Sequence, residues 1–215
     1  MKVNYQIELE KTIKENEEKG YIPTLLLHSC CGPCSTYVLE YLSNYFKISV
    51  LYYNPNIYPS EEYFFREEEQ KQLIKKMNPK YEIGFIPSKY DPREYHQAID
   101  GYQKEKEGGK RCELCFDLRL KQAGNVAKKM NFDYFTTTLS ISPHKNSQLL
   151  NEIGKRISEE VGVGYLYSDF KKKNGFKRSV ELTEEYDMYR QDYCGCVFSL
   201  YEMKQKQKEK EDEGV

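Results

Sequence analysis

Residues 24–35 read Thr-Leu-Leu-Leu-His-Ser-Cys-Cys-Gly-Pro-Cys-Ser, and the fold follows from how they are read. Thr24–His28 is a short apolar run of the kind that fills a strand covered on both faces. A helix-like stretch over roughly 35–46 then continues the chain. The same alternation recurs. Ile48–Tyr53, Glu82–Pro87, Tyr134–Leu139 and Gly164–Tyr167 read as further buried strands, with helix-like stretches over roughly 60–77, 112–130 and 145–160. Ser60 is the expected N-cap of the helix that opens with two acids. Asp91-Pro92 predicts a cap and a proline at the first helical position of another helix, running to about 105.

Strands alternating with helices predict an α/β fold built on a parallel sheet. Ligands of such sheets sit beyond the carboxyl ends of the strands. Cys30 and Cys31 follow the first strand, Asn54-Pro55-Asn56 the second, Ser140–Pro143 the fourth and Asp169 the last, so these segments are expected to meet at one edge. The organisation expected is an N-terminal helical extension over 1–23, one α/β catalytic domain over 24–203 with extra helices at its end, and a charged tail over 204–215.

The surface should be well solvated, because 31% of the 215 residues are charged, above the ~25% usual in soluble domains. No apolar run approaches the roughly 18 residues that span a bilayer, and the charged N-terminus lacks the apolar core of a signal peptide. A cytoplasmic protein is expected. The net charge of −1 does not mark a nucleic-acid binder, so any such contact must come from a local patch. The basic run Lys171, Lys172, Lys173, Lys177 and Arg178 could hold nucleic-acid phosphates; it could equally be a solvated loop. Tyr52, Tyr53, Tyr58 and Tyr63, near the expected ligand edge, could stack on unpaired bases or simply pack.

Seven cysteines fall in three groups: Cys30, Cys31 and Cys34; Cys112 and Cys115; Cys194 and Cys196. In a reducing compartment such clustering points to metal or redox chemistry. Zinc, an iron–sulfur cluster and a dithiol/disulfide couple all remain open. Adjacent cysteines suit one tetrahedral zinc poorly, because successive side chains of an extended segment diverge. A larger cluster could take Cys30, Cys31, Cys112 and Cys115, leaving Cys194 and Cys196 as a redox pair. A disulfide across one intervening residue is strained and easily reduced. Cys34 is left to bind a second metal or to pack.

These groups and their surroundings resemble the epoxyqueuosine reductases of the QueH type. The resemblance runs in order through HSCCGPCS (28–35), YYNPNIYPSEEYFFR (52–66), GGKRCELCFDLRL (108–120), DYFTTTLSISPHKN (133–146), DFKKKNGFKRS (169–179) and YRQDYCGCVFS (189–199). It implies a Rossmann-like layered domain similar to adenine-nucleotide α-hydrolases. It also implies conversion of epoxyqueuosine to queuosine at the wobble base of tRNA, the last step of that synthesis. A 4Fe-4S cluster on Cys30, Cys31, Cys112 and Cys115 and a redox-active pair at Cys194 and Cys196 go with it. An additional iron ion, an electron donor outside the chain, and proton donors among His28, His144, Asp169 and nearby tyrosines complete the expectation. The competing readings are a non-catalytic zinc-binding tRNA-interaction module and a thiol–disulfide oxidoreductase acting on proteins.

Overall fold

The computed structural model describes residues 3–212. Five strands form one parallel sheet: β1 (Thr24–His28), β2 (Lys47–Tyr52), β3 (Gly84–Pro87), β4 (Tyr134–Thr137) and β5 (Gly164–Tyr165). Their order is β3-β2-β1-β4-β5, so the chain reverses its direction of travel across the sheet between β1 and β4. That gap is the switch point at which doubly wound sheets bind ligands.

Both faces are covered, which is why β1 is apolar at successive positions. Leu25 and Leu27 point into a core shared with α1 (Tyr5–Glu18), α2 (Gly32–Leu42) and α3 (Ser60–Lys76), through Leu9, Ile13, Val38, Leu39 and Leu73. Leu26 points the other way, into a core with α5 (Lys110–Lys129) and α6 (Ser147–Val161), after the short α4 (Pro92–Ala98). Burying one such leucine contributes about 2 kcal/mol. The N-terminal segment therefore packs on the sheet through α1. Two further helices, α7 (Gly175–Glu185) and α8 (Val197–Asp212), end the described chain.

Several boundaries differ from the sequence reading. Ser60 is the first residue of α3, not its cap; Pro59 holds the cap position and the Ser60 hydroxyl turns to the Glu61 carboxylate. The helix after Asp91 ends at Ala98 rather than near 105, because Gly101 lies in the left-handed region (φ +81°) and the chain leaves in turns. The fourth strand stops at Thr137 and tightens into a 3-10 turn over Thr138–Ile141. α8 runs through the boundary expected at 203/204; residues 213–215 of the charged tail, and residues 1–2, lie outside the described residues.

At the amino edge of the sheet, the Asp133 carboxylate accepts hydrogen bonds from the Thr24 amide (2.8 Å), the Thr24 hydroxyl (2.8 Å) and Tyr21 (3.0 Å). Burial pushes this carboxyl up, but the bonds from Thr24 outweigh it and hold the group below the ordinary carboxylate value. The stabilisation is thus present above about pH 3.9 and is lost as pH falls through the lowered value. Asp133→Asn should cost about 1 kcal/mol at pH 7, discounted for the partial exposure of the site. The gap between variant and wild-type urea midpoints should close below pH ~4.

Candidate metal and redox centre

The turn from β1 into α2 gathers the first thiols. Cys31 caps α2 in an extended conformation (φ −172°), and the Ser35 hydroxyl donates to its carbonyl at 2.9 Å. Cys34 then falls one helical turn on and faces back. The Sγ atoms of Cys30, Cys31 and Cys34 lie within 4.8 Å of one another, with Cys30 and Cys31 3.7 Å apart. Cys34, left over in the sequence reading, belongs to this trio; the helical turn, invisible in the spacing, brings it round.

Three sulfurs this close cannot all ionise. Thiols of Cys31 and Cys34 donating to it draw the Cys30 thiol well below its ordinary value, with Arg119 helping. The Cys31 thiol, facing Cys30, is pushed up to about 12, and Cys34 is also raised. The Thr138 hydroxyl lies 3.3 Å from Cys30 Sγ. A soft cation placed among them would let the remaining thiols ionise.

Arg119, 2% exposed, ties this turn to α5. Its guanidinium bonds Asn54 Oδ1 (2.6 Å), approaches His28 Nε2 (3.3 Å) and lies 4.0 Å from Cys115 Sγ. Asn54 in turn donates to the Ser29 carbonyl at 2.9 Å. His28, fully buried, lies beside Thr137 Oγ1 (2.9 Å) and the Tyr53 carbonyl (3.1 Å). Burial and the Arg119 charge push the imidazole down to about 3, so it is neutral. Its role here is to seat Arg119; a neutral imidazole with both nitrogens engaged is a poor acid.

Cys112 and Cys115 sit in the first turns of α5. Cys112 accepts from the Gly108 amide (3.3 Å) and packs, with Cys30, against the core beside α5. Burial pushes the Cys115 thiol up to about 12. Cys115 shares an apolar cluster with Tyr95, Ile99 and Cys196, so the end of the chain returns to α5. Arg111 fastens that return, bonding Glu202 on α8 at 2.9 Å and covering the Phe198 ring at 4.6 Å.

The Cys194-Gly195-Cys196 turn is held by α3 and the loop before it. Gly195 has φ +119°, where a side chain is strained, and an added Cβ would lie 3.2 Å from Arg66 and from Ile57. Arg66 lies under the Tyr193 ring (5.0 Å) and bonds Glu62 (2.7 Å). Lys145, which the sequence reading overlooked, donates to Cys194 Sγ at 3.2 Å. Burial alone would lower this ammonium, but Cys194 and Cys30 outweigh it and the group is raised. Only its position after β4, at the expected ligand edge, could have signalled it.

These parts enclose one cavity of about 660 Å³, lined by Cys30, Cys31, Cys34 and Cys194. Five cations line it too (Arg66, Arg119, Lys145, Arg190 and Lys206), against the carboxylates of Glu107 and Asp192. The residues fit a thiolate-bound metal group of net negative charge. Arg66 Nη2 supports this, since it is buried and has no acceptor among the described residues; a sulfur of a bound group would supply one.

His144 also lines the cavity, while the remaining candidates fall elsewhere. Asp169 accepts from Ser147 (3.0 Å) and pairs with Lys171 (2.9 Å). Lys173 pairs with Glu10, Lys177 lies 4.0 Å from Glu181, and Arg178 bonds Glu40 at 2.7 Å. Acids of the same chain therefore meet most of the charge of that basic run, while Lys172 is exposed. Tyr52, Tyr53 and Tyr63 are core residues; Tyr58 alone of the four is exposed.

Fold and site together define a doubly wound α/β protein with a thiol-rich centre at the carboxyl edge of its sheet. A model of the family described as epoxyqueuosine reductase QueH matches residues 25–202. Epoxyqueuosine reductase QueH of Streptococcus pyogenes serotype M1 is 44% identical over 92% of this chain and 78% of its own. Those of Staphylococcus epidermidis and Thermotoga maritima are 42% and 34% identical, over 92% and 86% of this chain and 85% and 95% of theirs. The chain belongs to the epoxyqueuosine reductase QueH family and is by that membership an oxidoreductase. Among the described residues no helix is long and apolar enough to cross a membrane.

Proposed function

We propose that this chain reduces epoxyqueuosine to queuosine at the wobble position of tRNA, using a 4Fe-4S cluster. The observation that carries the reading is the meeting of three thiols and Cys194 on one cation-lined cavity. Family membership names the reaction.

Cys30, Cys31, Cys112 and Cys115 would hold the cluster, and Cys34 an additional iron ion beside it. When bound, these centres would supply single electrons and a Lewis acid. The chain's own groups do the rest. Turning an epoxide into an alkene and water takes two electrons and two protons. The thiols of Cys194 and Cys196 closing to a disulfide release that number of each, and an electron donor outside the chain restores them. Lys145, bonded to Cys194 Sγ, holds that sulfur in place and stands in the cavity as a proton source. Gly195 allows the sharp turn that keeps the two thiols one residue apart.

The test is purification without oxygen, followed by iron and sulfide analysis and incubation with epoxyqueuosine-containing tRNA and a chemical reductant. About four irons and four sulfides per chain are expected for the cluster, with iron beyond four for Cys34, and queuosine in the digested RNA. A colourless zinc protein that leaves the epoxide intact would overturn the reading in favour of a zinc-binding interaction module.

A further inference from the structure

We infer that the mouth of the cavity carries a stacking ledge for the unpaired nucleotides that flank the reacting base. The inference rests on the proposed tRNA substrate and adds the part of it that is gripped. α3 turns Tyr63 and Arg66 inward, which leaves the intervening Phe64 and Phe65 outward, 57% and 48% exposed. Single exposed apolar residues are ordinary; a group of them next to cavity-lining residues, as Phe65 is to Arg66, is not.

Phe65 meets Tyr189 edge to face at 5.4 Å, and the Tyr189 amide is anchored on Glu69 at 3.0 Å. The residues that follow, Arg190 to Cys194, line the cavity. Tyr58, also exposed, is fixed beside them through its carbonyl, which accepts from Tyr193 at 2.7 Å. Directly after Tyr189, Arg190 lies over the Phe176 ring at 5.5 Å, and both line the cavity. Ring faces and a planar cation thus border a positively lined hole. That combination suits single-stranded RNA, whose bases stack on the rings while its phosphates meet the cations. A duplex keeps its bases stacked inside and could use only the charge.

The test compares binding of a fluorescent anticodon stem–loop and of a duplex with the same number of phosphates, using the anaerobic holoenzyme. The wild type should prefer the loop. Phe65→Ala and Tyr189→Ala should each weaken loop binding about tenfold, the change that ~1.4 kcal/mol of stacking supports, and leave duplex binding nearly unaltered. The ring-keeping Phe65→Tyr and Tyr189→Phe should bind as the wild type does. Alanine variants that keep the loop preference would overturn the ledge. So would a wild-type dimer that the same substitutions dissociate, which would assign these rings to a second copy of the chain. Turnover of epoxyqueuosine RNA by the wild type is read in the same samples. Turnover with unaltered alanine affinities removes the ledge alone; no turnover removes the reading beneath it as well.

Discussion

Cys30→Ala, purified without oxygen, should lose its iron–sulfur absorption together with its turnover, by more than about a thousandfold or ~4 kcal/mol of barrier. A loss of that size is expected for three reasons visible around Cys30. Cys30 lies 3.7 Å from Cys31 and shares the trio with Cys34. It is the thiol most drawn toward the thiolate form, by donation from those two neighbours and by Arg119. Its amide and sulfur both meet the Thr138 hydroxyl, at 3.2 and 3.3 Å, so its position is set from the 3-10 turn that follows β4. Cys34→Ala makes the contrasting control, with the visible absorption kept and only iron beyond the cluster lost. Iron and sulfide counts on both variants check this. An unchanged spectrum in Cys30→Ala would remove the cluster from this site.

Cys194→Ser should abolish turnover to a similar extent while leaving the absorption in place. The hydroxyl is nearly isosteric and still accepts from Lys145, which lies 3.2 Å from Cys194 Sγ, so the turn should survive. What disappears is the two-electron couple, because serine cannot be oxidised to a disulfide with Cys196. Thiol counting under denaturing conditions gives a second readout. The wild type, treated with a mild oxidant, should lose two titratable thiols, whereas the variant, which starts with one thiol fewer, should lose none. Loss of colour in Cys194→Ser would instead make Cys194 a ligand.

Both expectations follow from one electrostatic arrangement. Arg66, Arg119 and Lys145 are cations in or at the edge of the core, and thiols face each of them. Burying such charges is costly unless they are paired. Arg119 meets Asn54 and approaches Cys115, and Lys145 meets Cys194, but Arg66 keeps one buried N–H without an acceptor among the described residues. The proposed thiolate-bound centre, negatively charged, would supply that partner.

Much of this was legible in the linear chain. The run Thr24–His28 followed by the helix-like stretch over roughly 35–46 fixes a buried strand leading into a helix, because strand and helix periodicity are local properties. Repeated four more times, it gives a parallel sheet, and the rule that loops after parallel strands share an edge marks Cys30, Asn54 and Ser140 in advance. Boundaries such as Ala98 and Thr137 were less legible, since turn geometry competes with propensity over one or two residues. Only the tertiary structure decided that Cys34 joins Cys30 and Cys31, that Lys145 meets Cys194, and that Asp169, Lys173 and Arg178 are taken up by neighbours from other segments. It also decided which rings face water, exposing Phe65 and burying Tyr52. The reason is the same in each case: a local pattern specifies which element a residue enters, whereas the partner of a side chain is set by the packing of elements distant along the chain, and that distance leaves no mark in the spacing of the residues themselves.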